Sequence, residues 1–349
     1  MPPAPSLPGR PFADLRVAQA GLLLVLLLLA TLLAGCSPYK IVGVQGFRFG
    51  EKLVLPRELA GQDLHGSCAA AHAFTPLTLG LEHTGAKGDR MIAMALFASG
   101  FCTGFEAQEQ ELAVLRALRN QQPLPAQDAR IVQKRLYQRA ARRELMAYQR
   151  FLSAYGDRPE GDCPTFANDT DELIYLAGLL AGLQAMVHSV QAGQMGEVPQ
   201  DIPPKTVARS RCIAAGKWWD LPEAMRTAIW SVLPLLAPED VPPPMLTLQR
   251  IAAQGKQGGV RLGHVVWALA ASNAGDIVTT RAVLRDFVAV DAHWQPDPQY
   301  RILDVIATEM MQAVSDQLWT VATGHRTPFG GLGTFWDDAP VQAHLDDLP

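Results

Sequence analysis

His65-Gly66-Ser67-Cys68-Ala69-Ala70-Ala71-His72 places two imidazoles and a thiol at helical spacing, with His83 and Cys102 further along. On a helix, His65, Cys68 and His72 share a face, and imidazole with thiolate is a donor set for zinc or copper. The spacing matches no standard zinc pattern, so the preferred reading is a disulfide with incidental histidines, and no metal or other cofactor is expected. A second group lies near the C-terminus, where His325 precedes the acid pair Asp337 and Asp338. Imidazole beside carboxylate is general acid/base chemistry. The preferred reading of that stretch is a tail that folds back, with Phe329, Phe335 and Trp336 plugging the open end of a helical stack. Its glycines follow a helix instead of opening one and lack the Gly-Lys-Ser/Thr of a P-loop, so nucleotide binding is unsupported.

Two further segments suit binding better than catalysis. Arg130, Lys134, Arg135, Arg139, Arg142, Arg143 and Arg150 fall on one stretch against only Asp128 and Glu144. Arg135, Arg139, Arg142 and Arg143 centre a surface for an acidic partner or anionic headgroups, with a solvated helix face as the plain alternative. Lys217-Trp218-Trp219-Asp220 pairs two indoles that either line a binding pocket or fill space between helices. Gly-x-Ser-x-Gly, His-Glu-x-x-His, Ser-x-x-Lys and Cys-x-x-Cys-His are all missing, which lowers the expectation of an enzyme.

The elements that carry these groups are helical. Aromatics are only 7% of the 349 residues, while alanine and leucine abound, a composition that favours helices over β-sandwiches. The exception is Tyr39–Pro56, where Ile41–Val44 and Leu53–Leu55 with Gly46 and Gly50 between read as a short hairpin or extended tether. Helices follow over Asp89–Gln121 and Ala126–Tyr155, separated by Pro123 and Pro125 and closed by Gly156. In the second, Tyr137, Ala141, Leu145, Tyr148, Leu152 and Tyr155 share a face. Asp169 with Glu172 reads as a capping box opening a helix to about Ala192, in which Ala177-Gly178 and Ala181-Gly182 permit close packing. Asp220 with Glu223 repeats the capping pattern, Asp276 caps Ile277–Val290, and Asp297-Pro298 opens a helix to Thr323 closed by Gly324. The expected fold is all-α, antiparallel helix pairs with the character of a degenerate α-solenoid, although no fixed repeat is present. The expected parts are 1–35, 36–60 (tether), 61–156 and 157–323 (helical) and 324–349 (a Gly-rich tail).

Residues 1–35 read as an address. Arg10 and Arg16 precede a leucine-rich run that ends in Leu33-Ala34-Gly35-Cys36, the layout of a cleaved secretory signal. That ending resembles the lipobox of bacterial lipoproteins. The resemblance implies cleavage before Cys36, acylation of its thiol and amine, and, with Ser37 and no aspartate next, retention in the outer membrane facing the periplasm. Two or three acyl chains make a stable anchor where one gives marginal binding. Four cysteines remain, Cys68, Cys102, Cys163 and Cys212, and an even count in an oxidising compartment implies two disulfides. Three connectivities are open; pairing sequence neighbours is preferred, each bridge contributing roughly 3–4 kcal/mol.

A net charge of −4 and a pI near 6.1 argue against nucleic acid as a partner. The expectation is therefore a non-enzymatic envelope lipoprotein that binds an apolar or lipidic ligand or a protein partner. The alternatives are a scaffold with no small ligand, or a hydrolase built on His325 and Asp337/Asp338. The lipobox, the helical layout and Arg135-Leu136-Tyr137-Gln138-Arg139-Ala140 together resemble the helical-repeat T-component lipoproteins of TRAP transporters. That resemblance implies a transport accessory with a ligand held between helices.

Overall fold

The computed structural model describes residues 38–193 and 198–338, together with 21, 24 and 25. Leu33-Ala34-Gly35-Cys36 and Ser37 lie outside the described residues, as does 339–349 of the C-terminal tail. Among the described residues the chain is all-helical, without a strand. The helices are α1 (Pro38–Phe49), α2 (Leu55–Leu59), α3 (Leu64–Glu82), α4 (Asp89–Arg119), α5 (Pro123–Tyr155), α6 (Asp169–Ala192), α7 (Ile202–Ser210), α8 (Leu221–Val232), α9 (Pro244–Gln257), α10 (Leu262–Asn273), α11 (Ile277–Val288) and α12 (Arg301–Thr323).

The hairpin or extended tether expected over Tyr39–Pro56 is instead α1, a π-helical turn (Gly50–Val54) and α2. The glycines there make no hairpin turn: Gly43, Gly46 and Gly50 form a flat helical face. A Cβ on Gly43 would sit 2.1 Å from Thr84 Oγ1, and one on Gly46 2.9 Å from Leu81 Cδ1. Their spacing of three and four is the helical period, and close approach to the 81–91 segment is what requires them. Phe47 then packs into a core with Ala86, Ile92, Leu96, Ala147 and Ala181.

α4 and α5 form a long hairpin. Tyr137 reaches Glu111, Arg143 reaches Thr103, and Arg150 reaches Asp89, a falling series against a rising one that defines the antiparallel register. α6 closes a three-helix layer on this pair, and its small residues admit aromatic rings. A Cβ on Gly178 would lie 2.3 Å from Phe151, and one on Gly182 2.8 Å from Tyr148. α6 is long and apolar enough to cross a membrane, yet 61% of its most apolar window is buried inside the fold. Tyr148, Phe151, Tyr175, Leu179, Trp218 and Ile302 belong to one core, and Leu248, Ile251, Trp267, Leu284, Phe287 and Met311 to another. α12 supplies Ile302 to the first and Met311 to the second, and so ties them together.

Both disulfides join sequence neighbours. Cys68–Cys102 staples α3 to α4 across a separation of 34 residues, and Cys163–Cys212 ties the loop before α6 to the end of α7 across 49. In the chain-entropy account each stabilises by about 4 kcal/mol. Capping differs from expectation at three helix starts. The Asn168 side chain, one residue before Asp169, accepts from the Asp171 amide at 3.0 Å and caps α6. Asp220 precedes α8 without capping it, because its carboxylate accepts from the Gly216 amide. Asp297 closes a tight turn by accepting from the Gln299 amide, so α12 starts only at Arg301. Asp276 caps α11 through the Thr279 amide at 2.9 Å, and Gly324, with φ 87°, ends α12.

Candidate functional site

α5 has two unlike sides. Tyr137, Ala140, Ala141, Ala147, Tyr148, Phe151 and Tyr155 are buried. Arg130, Lys134, Arg135, Arg139 and Arg142 stand exposed on the other side, and none makes an ion pair among the described residues. These five cations are left without a paired carboxylate among the described residues, in a chain of net negative charge. Arg143 departs from the expected surface. Its Nη1 donates to Thr103 Oγ1 at 2.6 Å and lies 3.4 Å from His72 Nδ1, inside the α3/α4/α5 seam. Burial, then the neighbouring Arg139, holds the Arg143 guanidinium below its ordinary range, and burial with Arg143 beside it depresses His72. Arg150 is also taken up internally, by Glu82 and Asp89.

An open cleft of about 610 Å³ lies at the far end of α5, lined among others by Phe47, Glu51, Lys87, Arg90, Tyr155 and Asp171. Arg90 bridges Glu51 at 3.0 Å and Asp171 at 3.1 Å, and the Tyr155 hydroxyl donates to Asp171 Oδ1 at 2.6 Å. The Ala167 amide occupies Asp171 Oδ2. Burial and the bond to Asp171 push the Tyr155 hydroxyl well above its ordinary range, so it is a fixed donor and no base. Each carboxylate in this ladder is committed to a neighbour, an arrangement that positions polar groups for recognition and leaves none poised for proton transfer. The lining of this cleft carries both signs of charge, Lys87 and Arg90 beside Glu51 and Asp171.

The interior holds a pair that the sequence reading passed over. Glu144, wholly buried on α5, meets His188 of α6 with Oε2 to Nδ1 at 2.7 Å. Gly104 makes room for the imidazole, since a Cβ there would lie 2.9 Å from its Cε1. The sequence signal is present: Glu144 follows Ala141 by three and precedes Tyr148 by four, on the core face of α5. A second buried imidazole, His264 of α10, pairs through Nε2 with Asp286 Oδ2 at 2.8 Å.

The remaining candidates resolve as structure. Cys68 is bonded to Cys102, so its sulfur is no thiolate ligand, and His65, Cys68 and His72 are a disulfide cysteine beside two histidines, in line with the preferred reading. His72 instead bonds Ser99 Oγ at 2.8 Å. The acids of the proposed acid/base group are engaged elsewhere: Asp337 is clamped by Arg281, and Asp338 by Arg285. The backbone carbonyl of His325 faces Thr320 and Thr323, and no contact joins its ring to either acid among the described residues. Phe335 is buried in the second core, under Arg281 at 4.2 Å, while Phe329 is fully exposed. Trp218 and Trp219 adopt left-handed backbone conformations, φ 53° and 55°, uncommon for bulky residues. Each packs edge-on against Tyr300 at 5.4 Å, and Trp219 Nε1 donates to the Gly258 carbonyl. The two rings fill a joint between the cores.

The chain matches no protein-family model, no curated protein and no solved structure.

Proposed function

We propose that this is a lipid-anchored, non-enzymatic envelope protein, held at the outer membrane with its body in the periplasm, whose exposed α5 face binds an acidic protein partner. The observation that carries the location is a pairing. A sequence ending its leader in Leu33-Ala34-Gly35-Cys36 has all four of its other cysteines in disulfides, the state expected outside the reducing cytoplasm. The partner face rests on Arg130, Lys134, Arg135, Arg139 and Arg142, exposed and without ion-pair partners among the described residues. Rim cations of this kind raise association rates and choose partners by charge complementarity. The helical layout agrees with the accessory role that the T-component resemblance implies.

The intact mass of the protein isolated from its own membranes, without reductant, tests the anchor. The expected species begins at Cys36, carries acyl increments and has no free thiol. A species retaining Met1, or one with free thiols, overturns the location. Cross-linking in intact cells tests the partner: Arg139→Glu with Arg142→Glu should abolish a specific adduct, and an undiminished adduct overturns that half of the reading.

A further inference from the structure

We infer that the outer side of α1 and the following π turn lies on an anionic lipid bilayer, so that the protein docks on the membrane through a protein surface as well as through acyl chains. This rests on the lipid-anchor reading above. α1 is pinned from one side only, by Gly43, Gly46 and Phe47 against the 81–91 segment. Its other side exposes Val42 (61%) and Phe49 (58%), Tyr39 (71%) stands exposed at its start, and Leu53 (61%) continues the apolar row through the π turn. The spacing of seven puts Val42 and Phe49 on one helical face, turned away from Gly43 and Phe47. The charge around this apolar row is one-sided. Lys40, Arg48, Lys52 and Arg57 are exposed and make no ion pair among the described residues. The acids of the segment are already occupied, Glu51 by Arg90 at 3.0 Å and Glu58 by the Ser67 hydroxyl at 2.6 Å.

An apolar row flanked by unpaired cations is the composition of a helix that lies in a bilayer interface. The chain length chooses the bilayer over another partner. Cys36 precedes Pro38 by two residues, at most about 7 Å of extended chain, so acyl chains on Cys36 hold the start of α1 at headgroup level. The exposed cations of α5 stand apart from this row. The cleft lined by Phe47 and Tyr155 marks the α1 end of α5. Arg139 lies sixteen residues from Tyr155 along that helix, about 24 Å of helical rise, so the partner face and the α1 face are separate surfaces.

The test uses the chain from Cys36 onward with Cys36→Ser, which cannot be acylated and retains every residue of the three cores. Sedimentation with phosphatidylglycerol-containing vesicles should show binding that falls with added salt. Val42→Glu with Phe49→Glu should weaken it by about tenfold or more, and Lys40→Glu with Lys52→Glu should weaken it on anionic vesicles more than on phosphatidylcholine. Thermal unfolding midpoints should stay unchanged, because these side chains are exposed. Absence of vesicle binding, or equal binding by Val42→Glu/Phe49→Glu, overturns the inference. So does a parent dimer dispersed by the same pair without vesicle binding, which would assign the face to a second copy. Acylation plays no part in this measurement, so its failure is distinct from failure of the anchor reading, which the intact mass decides.

Discussion

Glu144 Oε2 and His188 Nδ1 lie 2.7 Å apart at the centre of the three-helix layer, with Tyr137 stacked on the imidazole at 5.2 Å. The other carboxylate oxygen, Oε1, is buried without a hydrogen-bond partner among the described residues. Burial pushes the Glu144 carboxyl above its ordinary range, the bond from His188 opposing only in part. A carboxyl raised in the folded state stabilises below its unfolded pKa, and that contribution is lost as pH rises through the folded value. Urea midpoints from about pH 4 to about pH 8 should therefore contain a falling component that Glu144→Gln removes. Glu144→Ala should cost about 3–5 kcal/mol, because it leaves a cavity and an unpaired imidazole. A Glu144→Gln profile parallel to the parent would contradict this account.

His264 titrates with the opposite sign. Burial is the largest influence and lowers its pKa, while Asp286 opposes. A histidine depressed in the folded state contributes stability above its unfolded pKa of about 6.5, lost as pH falls through the folded value. The His264 ring resonances should move only below the ordinary histidine range in an NMR titration. His264→Gln should reduce the loss of stability between neutral and acid pH; an unshifted titration would rule the burial account out.

The helices and their ends were legible because local signals agree there: Gly156 and Gly324 close α5 and α12, and Asp276 caps α11. The core face of α5 was legible for the same reason, its period holding over about five turns from Tyr137 to Tyr155. Three things were not. Tyr39–Pro56 reads as a hairpin because β-branched residues and glycines dominate a short window, and only the packing of Gly43 against Thr84 reveals the glycines as a helical face. Glu144 is hidden in sequence among seven cations, although the helical period places it inward, on the face of Ala141 and Tyr148. The partners of the acids near His325 are not legible either, because Arg281 and Arg285 lie more than fifty residues earlier, a separation no local pattern reports.

Gly178 and Phe151 test the packing that builds the layer. A Cβ at Gly178 would fall 2.3 Å from the Phe151 ring, itself 1% exposed, so the ring has nowhere to retreat. Gly178→Ala should destabilise by about 1–3 kcal/mol through overpacking. Phe151→Leu alone should cost a comparable amount as an under-filled site. The two together should cost less than their sum, with a coupling of about 0.5 kcal/mol or more from chemical denaturation. Strict additivity would mean that the glycine is not there to admit the ring.

Arg261 and Asp304 make the corresponding joint in the second half of the molecule. Both are nearly buried, and two parallel bonds join them, Nε to Oδ1 at 2.9 Å and Nη2 to Oδ2 at 2.6 Å. The guanidinium also donates to the Phe287 carbonyl and lies 3.9 Å over the Phe287 ring and 4.3 Å over Trp294. One side chain thereby connects α11, α12 and the turn before α10. Lysine has neither the fork nor the flat face for this position, so Arg261→Lys should destabilise almost as much as Arg261→Met. Arg261→Met should cost about 3–5 kcal/mol, since it strands a buried carboxylate. Much of the cost of breaking such a pair is the charge left behind and not the attraction lost. Arg261→Met with Asp304→Leu should therefore recover most of the stability in the same urea titration. If the double substitution were as unstable as Arg261→Met, the joint would depend on its stacking and carbonyl contacts, and the ion pair would be incidental to it.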